Sequence, residues 1–433
     1  MEDLKKTALK IEQELKKNGA DKAHIVVTRS ETHEFNISNG EFSLFRTLFN
    51  DSIGMTVLKD HKKGSAAINK TDDASIKKAA LDCVKSAESG VADEAYDIAP
   101  KQENQDFCNA AYNGDIPTFF ARSKELLEAI TARHPKIRLS DTVFQHIKMD
   151  KFYRNTNGTE FSTKRGWYCV EVSFSALDGD KTTSMNGTGF VTESLDEPFI
   201  ERSDIEKQLC DTERQLDLRA FDGKITDGTI LLTPKCLSQF LGDIMGNFVS
   251  GAVIRDKTSI WLNKLGKQVA DNRLTIRMTI DDPRIVCPQK YTSDGFIAES
   301  YNLIENGILK TFQLDLFNAN KTGFERVKNT DSSVVIEGGE KSLESIIKGI
   351  KKGLLVGSFS GGAPGTNGDF SGVAKNSFYI EDGEIKYPVN EVMINGNLSD
   401  ILMNIQDISR DVVCNGEDVL PYISFGGIVI SGK

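Results

Sequence analysis

Residues 35–43 read Phe-Asn-Ile-Ser-Asn-Gly-Glu-Phe-Ser, and residues 152–162 read Phe-Tyr-Arg-Asn-Thr-Asn-Gly-Thr-Glu-Phe-Ser. Each sets an Asn-Gly pair between runs of strand-forming residues, and Asn39-Gly40 is a strong hairpin signal because a type I′ turn needs positive φ at both central positions. Before the first stretch, Leu4, Ala8, Ile11 and Leu15 make one helical stripe that Asn18-Gly19 stops. Around it lie short β-rich runs at His24–Thr28, Glu34–Ser38, Glu41–Phe49 and Ser52–Leu58, with another ending near Ile68. Asp72-Asp73 then open a helix carrying Ile76, Ala80, Val84 and Ala87. The second stretch is framed the same way. A helix from about Pro117 to Arg133 presents Phe119, Phe120, Leu126, Leu127 and Ile130; strands at Trp167–Ala176 and Thr182–Val191 follow; a helix bearing Ile205, Leu209, Thr212 and Leu216 closes the unit. Helix, antiparallel meander, helix occurs twice, which predicts an internal duplication.

Beyond about residue 222 the texture changes. One clear helix begins at Thr233-Pro234, a hydroxyl cap followed by proline at the first helical position, with Leu237, Phe240, Leu241, Ile244, Met245 and Phe248 as its apolar face. Strands punctuated by Asp294-Gly295, Asn306-Gly307 and Asp382-Gly383 follow, and Ile423 to Ile430 reads as a buried strand interrupted by Gly426-Gly427. The fold class is therefore α+β. A duplicated helix/antiparallel-meander domain (residues 1–222) precedes a β-rich domain with one central helix (residues 223–433), and the boundary falls near residues 219–227.

The chain of 433 residues is 39% hydrophobic and 27% charged, which is ordinary for a globular protein with ample cores. It has no apolar run of about 18 residues, so no membrane span is expected. The opening MEDLKKTALK lacks the apolar core of a signal peptide. Seven cysteines, at 83, 108, 169, 210, 236, 287 and 414, form no CxxC and no even framework, a pattern of reduced thiols that points to the cytoplasm. The net charge of −10 argues against direct binding of nucleic acid.

All five histidines (24, 33, 61, 134 and 146) precede residue 147, and none pairs with another at metal-ligand spacing. His33-Glu34 begins like a zincin motif but continues Phe-Asn-Ile-Ser inside a strand, so neither a catalytic residue nor a metal ligand is assigned. Cys236 stands near a helix N-terminus, where a dipole favours thiolate, but cysteine is among the most buried residue types and a core role is the better reading. Asp281-Asp282 beside Pro283 reads as a solvated turn. Residues 353–372, GLLVGSFSGGAPGTNGDFSG, are the richest in glycine but lack the endings of phosphate or dinucleotide loops; such a loop lets backbone approach a ligand or partner closely.

The series Gly365-Thr-Asn-Gly-Asp-Phe-Ser-Gly372, Phe378 to Val389 and Val392-Met-Ile-Asn-Gly-Asn-Leu398 resembles the C-terminal signature of the TldD/PmbA family. Asn263 to Gly266, Leu274 to Pro283 and Leu303 to Leu309 fit it as well, and the match runs from about Thr233 to Asn404. The resemblance implies a cytoplasmic metallopeptidase system, also named a modulator of DNA gyrase. One subunit type, TldD, carries HExxxH on a helix of the C-terminal domain, with a cysteine near the C-terminus completing a zinc site. The other, PmbA or TldE, lacks the motif and pairs with TldD around the substrate channel. Here the corresponding helix, Thr233 to Ser250, has neither histidine nor glutamate, and the tail after Pro421 has no cysteine. The resemblance thus implies a PmbA/TldE-type, non-catalytic subunit with no cofactor of its own. Its zinc would sit in a TldD-like partner, with self-pairing as an alternative, and its substrate would be unfolded peptide. Gly361, Gly362, Thr366, Asn367, Asp369 and Ser371 are the residues expected to contact peptide or partner. Two other readings stay open: a stand-alone hydrolase using non-standard ligands or a Cys236 nucleophile, and a homo-oligomeric binding or scaffold protein.

Overall fold

The computed structural model describes residues 1–330 and 333–432. Helix α1 (Glu2–Lys17) buries the stripe Leu4, Ala8, Ile11 and Leu15, with acidic residues in its first turn and lysines in its last to complement the helix dipole. The chain continues through β1 (Lys22–Ser38), β2 (Glu41–Lys59), β3 (Lys62–Ile68) and α2 (Asp73–Glu88). Asp72 caps α2 by accepting from the backbone N–H of Ser75. The four short runs expected before residue 59 are in fact two unbroken strands. Polar residues at the expected breaks stay in register, as at Arg29↔Asp51, because the ladder runs through the backbone and an ion pair of 2.9 Å satisfies the side chains.

The second unit comprises β4 (Gln105–Cys108), α3 (Ile116–Arg133), β5 (Ile137–Leu139), β6 (Thr142–Asn155), β7 (Glu160–Asp178), β8 (Lys181–Thr182), β9 (Asn186–Thr192) and α4 (Ile205–Arg214). The strand expected over 182–191 is interrupted, and Thr183 bonds across to Ala176 at the break. Asn39 and Gly40 both have positive φ (52° and 83°), as a type I′ turn requires. At the second Asn-Gly pair only Gly158 does (89°), and that turn is held instead by Asn155 Oδ1, which accepts from the N–H groups of Asn157 and Thr159.

The two units share one sheet. β1 and β6 pair antiparallel from His24↔Asn155 to Ile37↔Thr142, giving the order β3-β2-β1-β6-β7, with β4, β5, β8 and β9 attached to β7. Side chains alternate along a strand, so Ile25, Val27, Phe35 and Ile37 of β1 point to one face. The first two lie under α1 and α2, the last two under α3 and α4. The opposite face carries Tyr153 and Phe161, which pack on Tyr291 of the second half.

That second half opens with β10 (Arg219–Ala220), β11 (Lys224–Leu232), α5 (Pro234–Ile244), α6 (Gly251–Arg255), β12 (Ile276–Met278), β13 (Tyr301–Glu305), β14 (Ile308–Leu309), α7 (Leu316–Thr322) and β15 (Val334–Val335). It ends with α8 (Leu343–Gly349), β16 (Lys352–Val356), β17 (Ser358–Gly362), β18 (Asp369–Lys375), β19 (Ser377–Glu381), β20 (Glu384–Asn390), β21 (Val392–Asn397), α9 (Leu398–Met403), β22 (Ile405–Cys414) and β23 (Val419–Ser431). β23 is the hub, pairing with β11, β15, β21 and β22. Its pairing with β11 shifts register around Gly426-Gly427, where a bulge lets one strand serve several neighbours. The central helix α5 lays Leu237, Phe240, Leu241 and Ile244 on this sheet and runs into a single π-helical turn at Met245–Val249. Four helices of five to seven residues (α6 to α9) join it, too short for apolar periodicity to reveal.

Candidate functional site

Between the helix-free face of the first sheet and α5 lies a cleft of about 460 Å³. Met149, Arg165 and Trp167 come from β6 and β7, a face left open because all four helices pack on the other. Ser238, Leu241 and Gly242 come from α5, and Val286, Cys287 and Asp418 are among the residues that line the rest. Two further hollows of about 320 and 440 Å³ adjoin it, sharing Ser238 and Asp418 with the first and Val191 and Val286 with the second, so the three run together as a trough.

The polar groups of the trough are mostly positioned by one another. Ser238 Oγ donates to Asp418 Oδ2 at 3.0 Å, and the other oxygen of Asp418 accepts from the N–H of Val334 at 2.9 Å. Lys235 Nζ donates to Gly187 O at 2.6 Å and to Asn186 Oδ1 at 3.0 Å, and burial pulls its ammonium pKa below the usual lysine range. Arg165 is different: its Nη2 is buried without a hydrogen-bond partner among the described residues. A buried cationic donor facing a cleft suits a peptide carbonyl or carboxylate. On α5 and the π-helical turn that follows it, a side chain at Gly242 or Gly246 would meet nothing within 4 Å, so the helix presents open space there.

The six residues expected from sequence lie on one exposed hairpin, β17 and β18 with the loop between them. Gly361 has φ of 103°, which favours glycine. Asn367 Nδ2 donates to Asp369 Oδ2 at 2.7 Å, while Asn397 Nδ2 donates to Asn367 O at 2.9 Å and Asp369 Oδ1 at 2.8 Å. Ser371 Oγ bonds Asn395. Thr366 lies half-buried in the loop. The structure therefore brings the six together, although the described walls of the trough are built from other residues. One bond links the two features: Asn247, in the π-helical turn after α5, donates to Pro364 O at 2.9 Å. Nearby, at the end of α5, Asp243 Oδ2 is buried without a hydrogen-bond partner among the described residues, and burial pushes its carboxyl pKa up. β17 pairs with β18 alone among the described residues, so its outer edge is open.

Cys236 donates its backbone N–H to the capping Thr233, but its side chain is only 1% exposed and burial pushes the thiol pKa well up. A thiol so placed is a core group, not a nucleophile. Asp281-Asp282 departs from the solvated turn expected. Asp281 is exposed, but Asp282 is buried against Arg284 (2.8 Å) and Arg277 (3.0 Å), and its carboxyl pKa falls to about 2 because the Arg284 bond outweighs burial. His33 stacks near His146 and bonds Glu31 within the strand pair, as a structural residue does. The fold also makes a juxtaposition that local spacing conceals: His134 meets Glu206 and Cys210, whose ligand-type atoms all lie within 4.8 Å of one another. Sequence reading missed Arg165, Trp167 and Asn247 as site residues, since nothing adjacent in the chain marks them.

Residues 226–432 match the family model described as PmbA/TldA metallopeptidase C-terminal domain, and residues 23–88 match PmbA/TldA metallopeptidase domain 1. The chain is 25% identical to the metalloprotease PmbA of Escherichia coli O157:H7 over 451 aligned positions, covering 99% of this chain and 96% of that protein. It is 26% identical to a metalloprotease PmbA homolog of Haemophilus influenzae, covering 87% and 83% respectively. The crystal structure of TldE from Thermococcus kodakarensis shares the fold, with a TM-score of 0.84 at 20% identity over 98% of this chain and 100% of that one.

Proposed function

The chain belongs to the PmbA/TldD metallopeptidase family, and from that premise we propose that it is a PmbA/TldE-type subunit that helps to enclose an unfolded peptide for a zinc-bearing partner. The observation that carries this reading is the make-up of α5 and the π-helical turn after it where they face the trough. Ser238, Gly242 and Met245 stand there, in a sequence without HExxxH, and they supply neither the ligand set nor the carboxylate base of a zinc peptidase. What the surface does supply is suited to holding an extended chain. β17 offers an open strand edge for backbone pairing, its glycines let a second backbone approach, and Arg165 offers an unpaired donor deeper in the trough.

A partner surface is proposed as well. The outer edge of β2 from Glu41 to Ser52 lies beyond the reach of β3, and it exposes Phe45 (54%) and Phe49 (73%). An apolar strand edge of this kind is usually covered in a working assembly. The seven cysteines are all unpaired, which fits a reducing compartment, and we place the protein in the cytoplasm. No described helix is long and apolar enough to cross a membrane. An acidic chain without a basic groove gives no physical route to direct action on a gyrase–DNA complex.

The test is reconstitution with an HExxxH-bearing family member, following cleavage of an unfolded peptide. The expected result is no turnover by this chain alone and turnover only in the mixture. Exchanging Asn367 and Asp369 for alanine should lower turnover at least tenfold while leaving pairing in place. Zinc-dependent cleavage by this chain alone would overturn the reading. Intact pairing and cleavage in the double variant would remove the hairpin from it.

A further inference from the structure

We propose that His134, Glu206 and Cys210 form a binding site for a divalent transition metal of the zinc class. His134 is the C-terminal cap of α3, while Glu206 and Cys210 stand four apart on α4 and so share one helical face. The imidazole is almost wholly buried, with its side chain 4% exposed, yet among the described residues Nε2 has no hydrogen-bond partner. It points at Glu206, whose Oε1 lies 3.3 Å away, and Glu206 Oε2 is likewise buried without a hydrogen bond. The guanidinium of Arg133, half exposed, reaches only to 3.5 Å from that oxygen. Nε2 thus faces one carboxylate oxygen at ion-pair distance without a hydrogen bond, and the other oxygen of that carboxylate is buried with only the Arg133 guanidinium near it, an arrangement that a metal ion beside them would complete.

The other side of the imidazole is arranged as a metal site requires. His134 Nδ1 lies 3.1 Å from Glu213 Oε2, and the second oxygen of Glu213 accepts from the N–H of Lys136 at 3.3 Å. A carboxylate on Nδ1 is the outer partner that metal-bound imidazoles carry, and it orients Nε2 toward Glu206 and Cys210. The donor set of imidazole nitrogen, carboxylate oxygen and thiolate sulfur suits zinc and excludes magnesium and calcium, which take oxygen ligands. Zinc bonds of about 2.0–2.3 Å bring donors closer together than the 4.8 Å limit found here, and rotation of the exposed Cys210 side chain supplies the closure. Binding converts the Cys210 thiol to a metal-bound thiolate and releases its proton to solvent. Water takes the fourth position. The site lies on the helix-covered side of the first sheet, away from the trough, so its role is to clamp the end of α3 to α4.

The experiment is a cobalt(II) titration of the full-length, metal-free protein, read by absorbance. The expected result is a thiolate-to-cobalt charge-transfer band that saturates at one equivalent and disappears when zinc is added. Cys210→Ser, at an exposed position that leaves the fold intact, should abolish the band. Glu213→Gln should weaken cobalt binding by about tenfold. Absence of any band in the unmodified protein, or a band that survives Cys210→Ser, would overturn the proposal and leave His134 as a structural side chain held between two glutamates.

Discussion

Arg326 grips Asp294 with two parallel bonds, Nη2 to Oδ1 at 2.7 Å and Nε to Oδ2 at 2.9 Å, while its guanidinium lies 3.8 Å from the ring centre of Phe296. Both charged side chains are mostly buried. Removing one partner strands the other without water, which is the costly half of a buried ion pair. Arg326→Ala should therefore destabilise the protein by about 3–5 kcal/mol. Pairing that change with Asp294→Asn should recover part of the loss. Denaturant unfolding checks both, and a single-variant loss under about 1 kcal/mol would show that solvent reaches the pair.

The neighbouring Gly295 is one place where the two halves of the chain touch. Its φ is 94°, and a Cβ there would fall 1.9 Å from the hydroxyl of Tyr153 on β6. Gly295→Ala should lower the melting temperature and speed proteolysis between the halves, because both the backbone and the contact oppose it. Adding Tyr153→Leu to that variant should restore part of the stability, by removing the clash but not the strain.

Acid should weaken the fold in two stages. His24 has its pKa lowered to about 4 by burial, so below about 6.5 the unfolded chain binds a proton that the folded one refuses, and stability falls until the pH nears 4. Asp282, with its carboxyl at about 2, contributes stability that is present above the usual aspartate value and is lost as pH falls toward 2. Urea midpoints measured between pH 7 and pH 2.5 should show both declines. In Asp282→Asn the lower one should shrink by about 2 kcal/mol.

Thiol labelling should sort the cysteines by environment. In the metal-free protein Cys108 and Cys210 are exposed and should react first. Cys83 and Cys236 are buried, the Cys83 thiol being pushed up to about 11 by desolvation, and both should resist labelling until the protein unfolds. Mass spectrometry of a timed alkylation distinguishes them. Rapid native labelling of Cys236 would revive its reading as a nucleophile.

What could be read from the chain was what is local. The stripes of α1 and α2, the Asp72 cap, and the Thr233-Pro234 start of α5 depend on residues within a turn or two of one another, and each stands where periodicity and capping put it. The hairpin at Asn39-Gly40 belongs with them. The breaks expected in β1 and β2 are absent because ion pairs across the ladder accommodate the polar residues between the apolar runs. The short strands β10, β14 and β15 carry too few residues for any pattern. The trough was illegible for a different reason: Arg165, Ser238 and Asp418 meet only because two sheets are folded against each other. Asp282 looked solvated since its partner Arg277 and its burial both depend on tertiary packing.

The long β1–β6 ladder has a consequence for synthesis on the ribosome. Residues 24–37 must wait for residues 142–155, roughly a hundred positions later, before their inner edge is covered. At about 5–20 residues per second that wait is on the order of ten seconds, during which a nascent strand rich in apolar side chains lies uncapped. The shared sheet therefore ties the fate of the first unit to delivery of the second. Pausing or truncation between them should yield a sticky fragment that chaperones hold, not a smaller domain that folds by itself.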